Sequence, residues 1–359
     1  MNGNKRPARL PHVFHPDEPN MKVIVPLLLA AAILTVVMAI GIGPVSVHPW
    51  TVARIVLSKL ALLAPHLPAD WTQLDENIVW TLRLPRVLLG MIVGASLAVT
   101  GVAMQALVRN SLADPFLLGV SSGAAATATL GMLFGVFAFL GSYALSISAF
   151  LGAAATISIV YAISRVRGRI HITQLLLSGV VIALIMDAIT NIITLSAPNA
   201  LGLHNAAFWM SGSLAGAKWG YLTVPLIVIV CCMTVLMLLY RSLNALLLGD
   251  ETAGTLGFNI GRVQKLLVLI ASLLAGVTIA VSGAIGFIGL MVPHMTRMLV
   301  GSDHKRVLIV SALLGGILVV WTDVAARMVI APQELPIGLL TSLAGGPFFI
   351  WLLKRRTKA

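Results

Sequence analysis

Few ionisable residues of this chain lie in apolar surroundings, and those few are where chemistry could be done. Asp187, in "LIMDAITNIITL", sits near the middle of an apolar run. An ionised carboxylate there costs about 2.5 to 3.5 kcal/mol on insertion scales, so it must face a bundle interior or an aqueous cavity. It could serve a proton relay, or Asn191 one turn later could satisfy it by hydrogen bonding. Arg83 and Arg86 share the motif "LRLPR", and Arg327 follows Asp323 by one helical turn. A guanidinium fork can grip a carboxylate with two hydrogen bonds, and near a bilayer edge it can equally act as a simple anchor. His294 follows Pro293, with Asp303 and His304 further on, but the spacing matches no metal pattern, and hydrogen-bonded structural histidines are expected. Cys231 and Cys232 are adjacent within an apolar run and read as packing residues. The sequence has no G-x-x-x-x-G-K-[ST], no G-x-S-x-G, no H-E-x-x-H and no paired intramembrane aspartates. No catalytic residue and no metal ligand is therefore assigned, and any ATP-derived energy has to come from another subunit.

The elements that hold these residues follow from composition. Of 359 residues, 58% are hydrophobic and 10% charged, with a mean hydropathy of +0.99, far from the range of soluble domains. Apolar runs long enough to span a hydrocarbon core of about 30 Å recur along the chain, giving an all-α polytopic membrane protein. Ten spans are expected, near 22–42, 87–107, 116–138, 143–163, 171–195, 222–240, 264–283, 284–300, 307–326 and 336–353. Residues 1–21 read as a polar tail and 22–359 as one transmembrane domain. With both termini inside, 18 of the 24 lysines and arginines lie in inner loops and tails, as the positive-inside rule requires. The same dispersal of the +12 net charge over short loops argues against nucleic acid as a partner.

Two stretches share the form G-x-x-x-A-V-[ST]-G: "GASLAVTG" at 94–101 and "GVTIAVSG" at 276–283. Small residues every four positions let helices approach closely. The copies fall on the second and seventh spans, so they run in opposite directions, as in the inverted repeats of transporters. Directly after the second copy, "GAIGFIGLMVPH" places Gly283, Gly286, Gly289 and Pro293 where a continuous helix would tolerate none, and a broken helix is expected there. Its backbone must be satisfied by protein or by a water-lined cavity, which suits a pathway lining or a subunit contact.

Six motifs, in order, resemble the permease subunits of type II ABC importers for iron-siderophore complexes, haem and vitamin B12. They are "LRLPRVLLG" (82–90), "MQALVRNSLADPFLLGVSSGA" (104–124), "LGDETAGTLG" (248–257), "GAIGFIGLMVPH" (283–294), "SDHKR" (302–306) and "ELPIGLLTSLAGGPFFIWLLKR" (334–355). The resemblance runs from about Leu84 to the C-terminus. It implies a ten-helix, vitamin-B12-importer-like permease that pairs with a second copy or a close homologue. Two ATPase subunits, which use ATP and magnesium, would sit below, and a periplasmic or lipid-anchored binding protein above, in a bacterial cytoplasmic membrane. The chain itself would bind no cofactor and would do no chemistry on its cargo, an iron chelate or alternatively a corrinoid. A proton-coupled secondary transporter using Asp187 is the rival.

Residue roles carried by the resemblance are specific. Arg83, Arg86 and Arg327 would pair with acidic residues of the binding protein. The loop around Asp250, Glu251, Ala253, Leu256 and Gly257 would seat in a cleft of the ATPase, and Gly257 would admit another backbone. Asn110 and Leu112 in one turn, with Ile172 and Thr173 in another, would narrow the inner mouth of the pathway. Ser111 stands where the family pattern has proline, so the first turn is expected to be less rigid.

Overall fold

In a computed structural model, the described residues are 20–59, 70–166 and 169–356. The expected tail lies almost wholly outside them. Seven helices are long and apolar enough to cross a membrane, and three shorter apolar helices intervene at the third, eighth and tenth positions, ten in the expected order.

Several helices start where a polar side chain accepts a hydrogen bond from a free N–H of the first turn. Asn20 opens α1 (Met21–Gly41), and His48 opens the short α2 (Pro49–Ser58). A Thr72/Asp75 capping box opens α3 (Gln73–Glu76). A π-helical stretch, Asn77–Arg83, then leads into α4 (Leu84–Val108). After a 3-10 turn at Pro115–Leu118 come α5 (Val120–Phe134), α6 (Ala144–Ser164) and α7 (Ile172–Leu195). A two-residue antiparallel ladder, Arg165–Val166 with Arg169–Ile170, joins α6 to α7. Next are α8 (Ala200–Met210), α9 (Thr223–Leu238), α10 (Tyr240–Leu246) and α11 (Asp250–Thr255). The chain ends with α12 (Ile260–Ser282), α13 (Ile288–Val300), α14 (His304–Met328) and α15 (Ile337–Arg356). The second span thus starts well before residue 87, because the π segment extends it. The eleven-residue α8 has no counterpart among the expected spans.

α4 is the central post, packed against α12, α13 and α14. Its glycines make that possible. A Cβ on Gly94 would lie 2.1 Å from the Gly315 carbonyl oxygen of α14, and one on Gly101 would lie 1.8 Å from that of Gly289 in α13. Both backbones therefore approach α4 without side chains between them. The two copies of the repeated motif fall on α4 and α12, and in the second a Cβ on Gly283 would lie 2.1 Å from the Trp209 carbonyl oxygen, while Gly276 meets the side chains of Phe150 and Ala153. The peripheral helices expose long apolar side chains, such as Leu177, Val181, Leu184 and Ile192 on α7, as lipid or another chain would require.

Candidate functional site

One end of the bundle gathers the Arg109 turn, α10, α11 and the start of α14; it is called here the basic end. At the opposite end the sequence-singled arginines converge. Arg86 grips Asp323 through Nε at 3.0 and 3.1 Å and Nη2 at 2.9 Å, and also reaches Glu334, with Nη1 at 3.0 Å from Oε1. Arg327 Nε lies 3.2 Å from the other Asp323 oxygen. Asp323 is 1% exposed, so one buried carboxylate binds two guanidinium groups across 237 residues of sequence from Arg86. Asp323 thus both orients and neutralises Arg327, and clamps Arg86 besides.

The remaining donors cap a helix. α1 ends at Gly41, leaving carbonyls at its C-terminus without partners in the helix. Arg327 donates to the Ala39 and Ile42 carbonyls at 3.2 Å each, and Arg83 donates to those of Ile40 at 2.8 Å and Gly41 at 3.2 Å. A cation at a helix C-terminus is favoured by the helix dipole as well as by these bonds. All three arginines are buried. Their donors are committed inside the chain, so a docking protein could reach them only by displacing those partners. Glu334, the most exposed member of the network, went unnoticed in the sequence although it opens the "ELPIG" motif. It also lines a cavity of about 630 Å³ with His204, Ser211 and Gln333.

The chain is non-helical at Gly283 and Gly286, whereas Gly289 and Pro293 lie within the helix that follows. The helix stops at Ser282, residues 283–287 are non-helical, and α13 begins at Ile288. Gly283 takes φ +64°, which suits glycine; Phe287 takes φ +66°, which is strained for a side chain of its size. Its ring lies where a Cβ on Gly345 of α15 would be, so that glycine makes room for it. The backbone here is satisfied by protein: Ser213 N–H donates to the Ser282 carbonyl at 2.7 Å, and Met291 N–H to that of Phe287 at 2.8 Å. Pro293 has no N–H for the Gly289 carbonyl four residues earlier. Gln105 of α4 supplies the donor instead, at 3.3 Å, while its Oε1 accepts from Arg297. Sequence reading missed Gln105. A lone amide on an apolar span was visible in the sequence, but not that it faces the proline-interrupted helix. Gly286 is the least crowded of the three glycines, with only Ser342 Oγ among the described residues within 4.0 Å of a notional Cβ.

At the basic end, Asn110 Oδ1 accepts the Leu112 N–H at 3.0 Å, and Asp114 Oδ1 accepts that of Phe116 at 2.8 Å. Burial pushes the Asp114 carboxyl above its ordinary range, against the pull of the Phe116 bond. These side chain to backbone bonds hold the turn where proline is absent. Ile172 and Thr173 lie across a cavity of about 760 Å³ from α11, lined also by Arg109, Asp250 and Glu251. Arg109 pairs with Asp250 at 3.3 Å, an exposed contact of small energetic weight. Glu251, Leu256 and Gly257 are exposed, with Leu247 and Leu248 beside them. Gly257 takes φ +87° and nothing in the chain lies within 4 Å of a notional Cβ, so its approach surface is open. Ala253, by contrast, is 0% exposed.

Asp187 is exposed on α7, and no hydrogen bond between it and Asn191 is found among the described residues. His304 donates its backbone N–H to Asn244 Oδ1 at 2.9 Å and has Nδ1 2.8 Å from the same atom. Cys231 is exposed, Cys232 buried, and both are free thiols.

The profile of the FecCD transport family matches residues 29–355. The hemin transport system permease protein HmuU of Yersinia pestis is 42% identical over 292 residues, covering 80% of this chain and 87% of that protein. The cobalamin import system permease protein BtuC of Halobacterium salinarum is 40% identical, covering 78% and 74%. Among solved structures, an inward-facing metal-chelate-type ABC transporter superposes with a TM-score of 0.79 at 29% identity, covering 92% of this chain and 99% of that one.

Proposed function

The chain belongs to the FecCD transport family, as a multi-pass permease subunit of the ABC-importer class, and we propose that it carries an iron chelate, a siderophore complex or haem, across a bacterial inner membrane. In this reading the basic end is cytoplasmic, both termini lie there, and ATP with magnesium is used by two partner subunits rather than by this chain.

The observation that carries the reading is the exposed tip of α11. Glu251, Leu256 and Gly257 are exposed beside Leu247 and Leu248, an apolar and acidic knob that no described residue covers. A transporter without a nucleotide-binding loop needs such a seat for an ATPase. Movement of α11 would be passed through the Arg109–Asp250 contact to the turns bearing Asn110, Leu112, Ile172 and Thr173, which gate the inner mouth. The non-helical 283–287 segment, with its open Gly286, lines the pathway or a subunit contact. Asp187 on the exposed face of α7 suits a water-filled axis between two copies better than lipid, because an ionised carboxylate is costly in hydrocarbon. A binding protein docks at the opposite end, exchanging its own carboxylates for Glu334 on Arg86 and for the carbonyls on Arg83 and Arg327.

The 40% identity to a cobalamin permease supports a second cargo, a corrinoid. Uptake assays in the host lacking this chain separate the two. The proposal expects loss of radioiron uptake from ferric chelates or haem with cobalamin uptake intact; loss of cobalamin uptake alone would give the corrinoid reading.

A further inference from the structure

A second polar cavity, of about 440 Å³, opens at the basic end between the end of α4, α13 and the start of α14. Arg109, Arg297, Asn110, Ser302 and His304 are among its lining residues, and no carboxylate of the described residues lines it. His304 is 1% exposed, yet among the described residues its Nε2 has no hydrogen-bond partner. A buried polar atom left unpaired is costly, so this one calls for a ligand.

The hydrogen-bond network defines which ligand. Asn244 Nδ2 donates to Asp303 Oδ1 at 2.6 Å, which fixes the amide with its oxygen toward His304. That oxygen can only accept, so His304 Nδ1 carries the hydrogen of the 2.8 Å contact. In the neutral ring Nε2 is then a bare lone pair that wants a donor. A metal cation would also take a lone pair, but Arg109 and Arg297 line the same cavity and repel one. Two guanidinium groups favour an oxyanion, and the lone pair favours one that still bears a proton.

We propose that this cavity binds a protonated oxyanion of the hydrogen-phosphate type, with Arg297 and Arg109 facing its negative oxygens and His304 Nε2 accepting its P–OH. Binding needs the hydroxyl, so sulfate, which has no proton at neutral pH, would set an oxygen lone pair against that of Nε2 and be rejected.

The test uses the full-length chain in nanodiscs, titrated at pH 7 with radiolabelled inorganic phosphate, with sulfate as competitor. Saturable phosphate binding that sulfate does not displace is expected, weakened about tenfold or more by Arg297→Gln. Absence of saturable binding at millimolar phosphate, or equal displacement by sulfate, would overturn the proposal. Should Arg297→Gln fail to fold, the competition on the unaltered chain decides alone.

Discussion

Removing the Asp323 carboxylate leaves Arg327 buried without a carboxylate and Arg86 with Glu334 alone, whereas removing Glu334 leaves Arg86 still gripped by Asp323. Breaking a buried ion pair from one side costs about 3 to 5 kcal/mol, and a partly exposed one about 1 kcal/mol or less. Asp323→Asn is therefore expected to lower the melting temperature of the detergent-solubilised chain sharply, and Glu334→Gln only slightly. Equal losses would show that the network is not centred on Asp323. Part of this was legible in the sequence: the arginines stood out against the charge asymmetry of the loops, and Asp323 one turn before Arg327 marked a pair. The link from Arg86 to Asp323 spans 237 residues, and the α1 carbonyls that Arg83 and Arg327 cap carry no sequence signal at all. Burial of the three arginines was invisible for the same reason.

Between elements, close approach is set by glycine and a single amide. Gly101→Ala would drive a Cβ to 1.8 Å from the Gly289 carbonyl oxygen, forcing α4 and α13 apart. A loss of about 1 to 3 kcal/mol or more is expected, seen as a fall in thermal stability. Gln105→Leu would leave the Gly289 carbonyl without its donor, at a cost of about 1 to 3 kcal/mol. Adding Pro293→Ala to Gln105→Leu returns a backbone N–H to that carbonyl and should recover much of the loss; if the double variant is no more stable than Gln105→Leu alone, the amide has another role. The break was readable at Gly283 and Gly286, because glycine acts locally, whereas Gly289 and Pro293 proved to be accommodated within α13. The role of Gln105 was not readable, since it depends on which helix faces the proline. α8 escaped because eleven residues containing His204 and Asn205 do not stand out as a span.

At the scale of the whole molecule, ten apolar helices were countable because bilayer thickness imposes a length that composition reveals. Which helices pack together was not, since apolar faces in lipid carry no contrast with apolar faces in protein. The tip of α11 was legible as a glycine-divided loop, and exposure then separated Glu251, Leu256 and Gly257 from the buried Ala253. The central claim is that this chain works with a separate ATPase seated there. The direct measurement is to purify the tagged chain from its host in mild detergent, identify what accompanies it by mass spectrometry, and assay ATP hydrolysis, alongside Leu256→Asp. A co-purifying subunit with a nucleotide-binding loop and ATPase activity, both lost in a folded Leu256→Asp chain, is the expected result. A chain that reproducibly purifies alone and moves its cargo on a proton gradient, with transport abolished by Asp187→Asn, would contradict it.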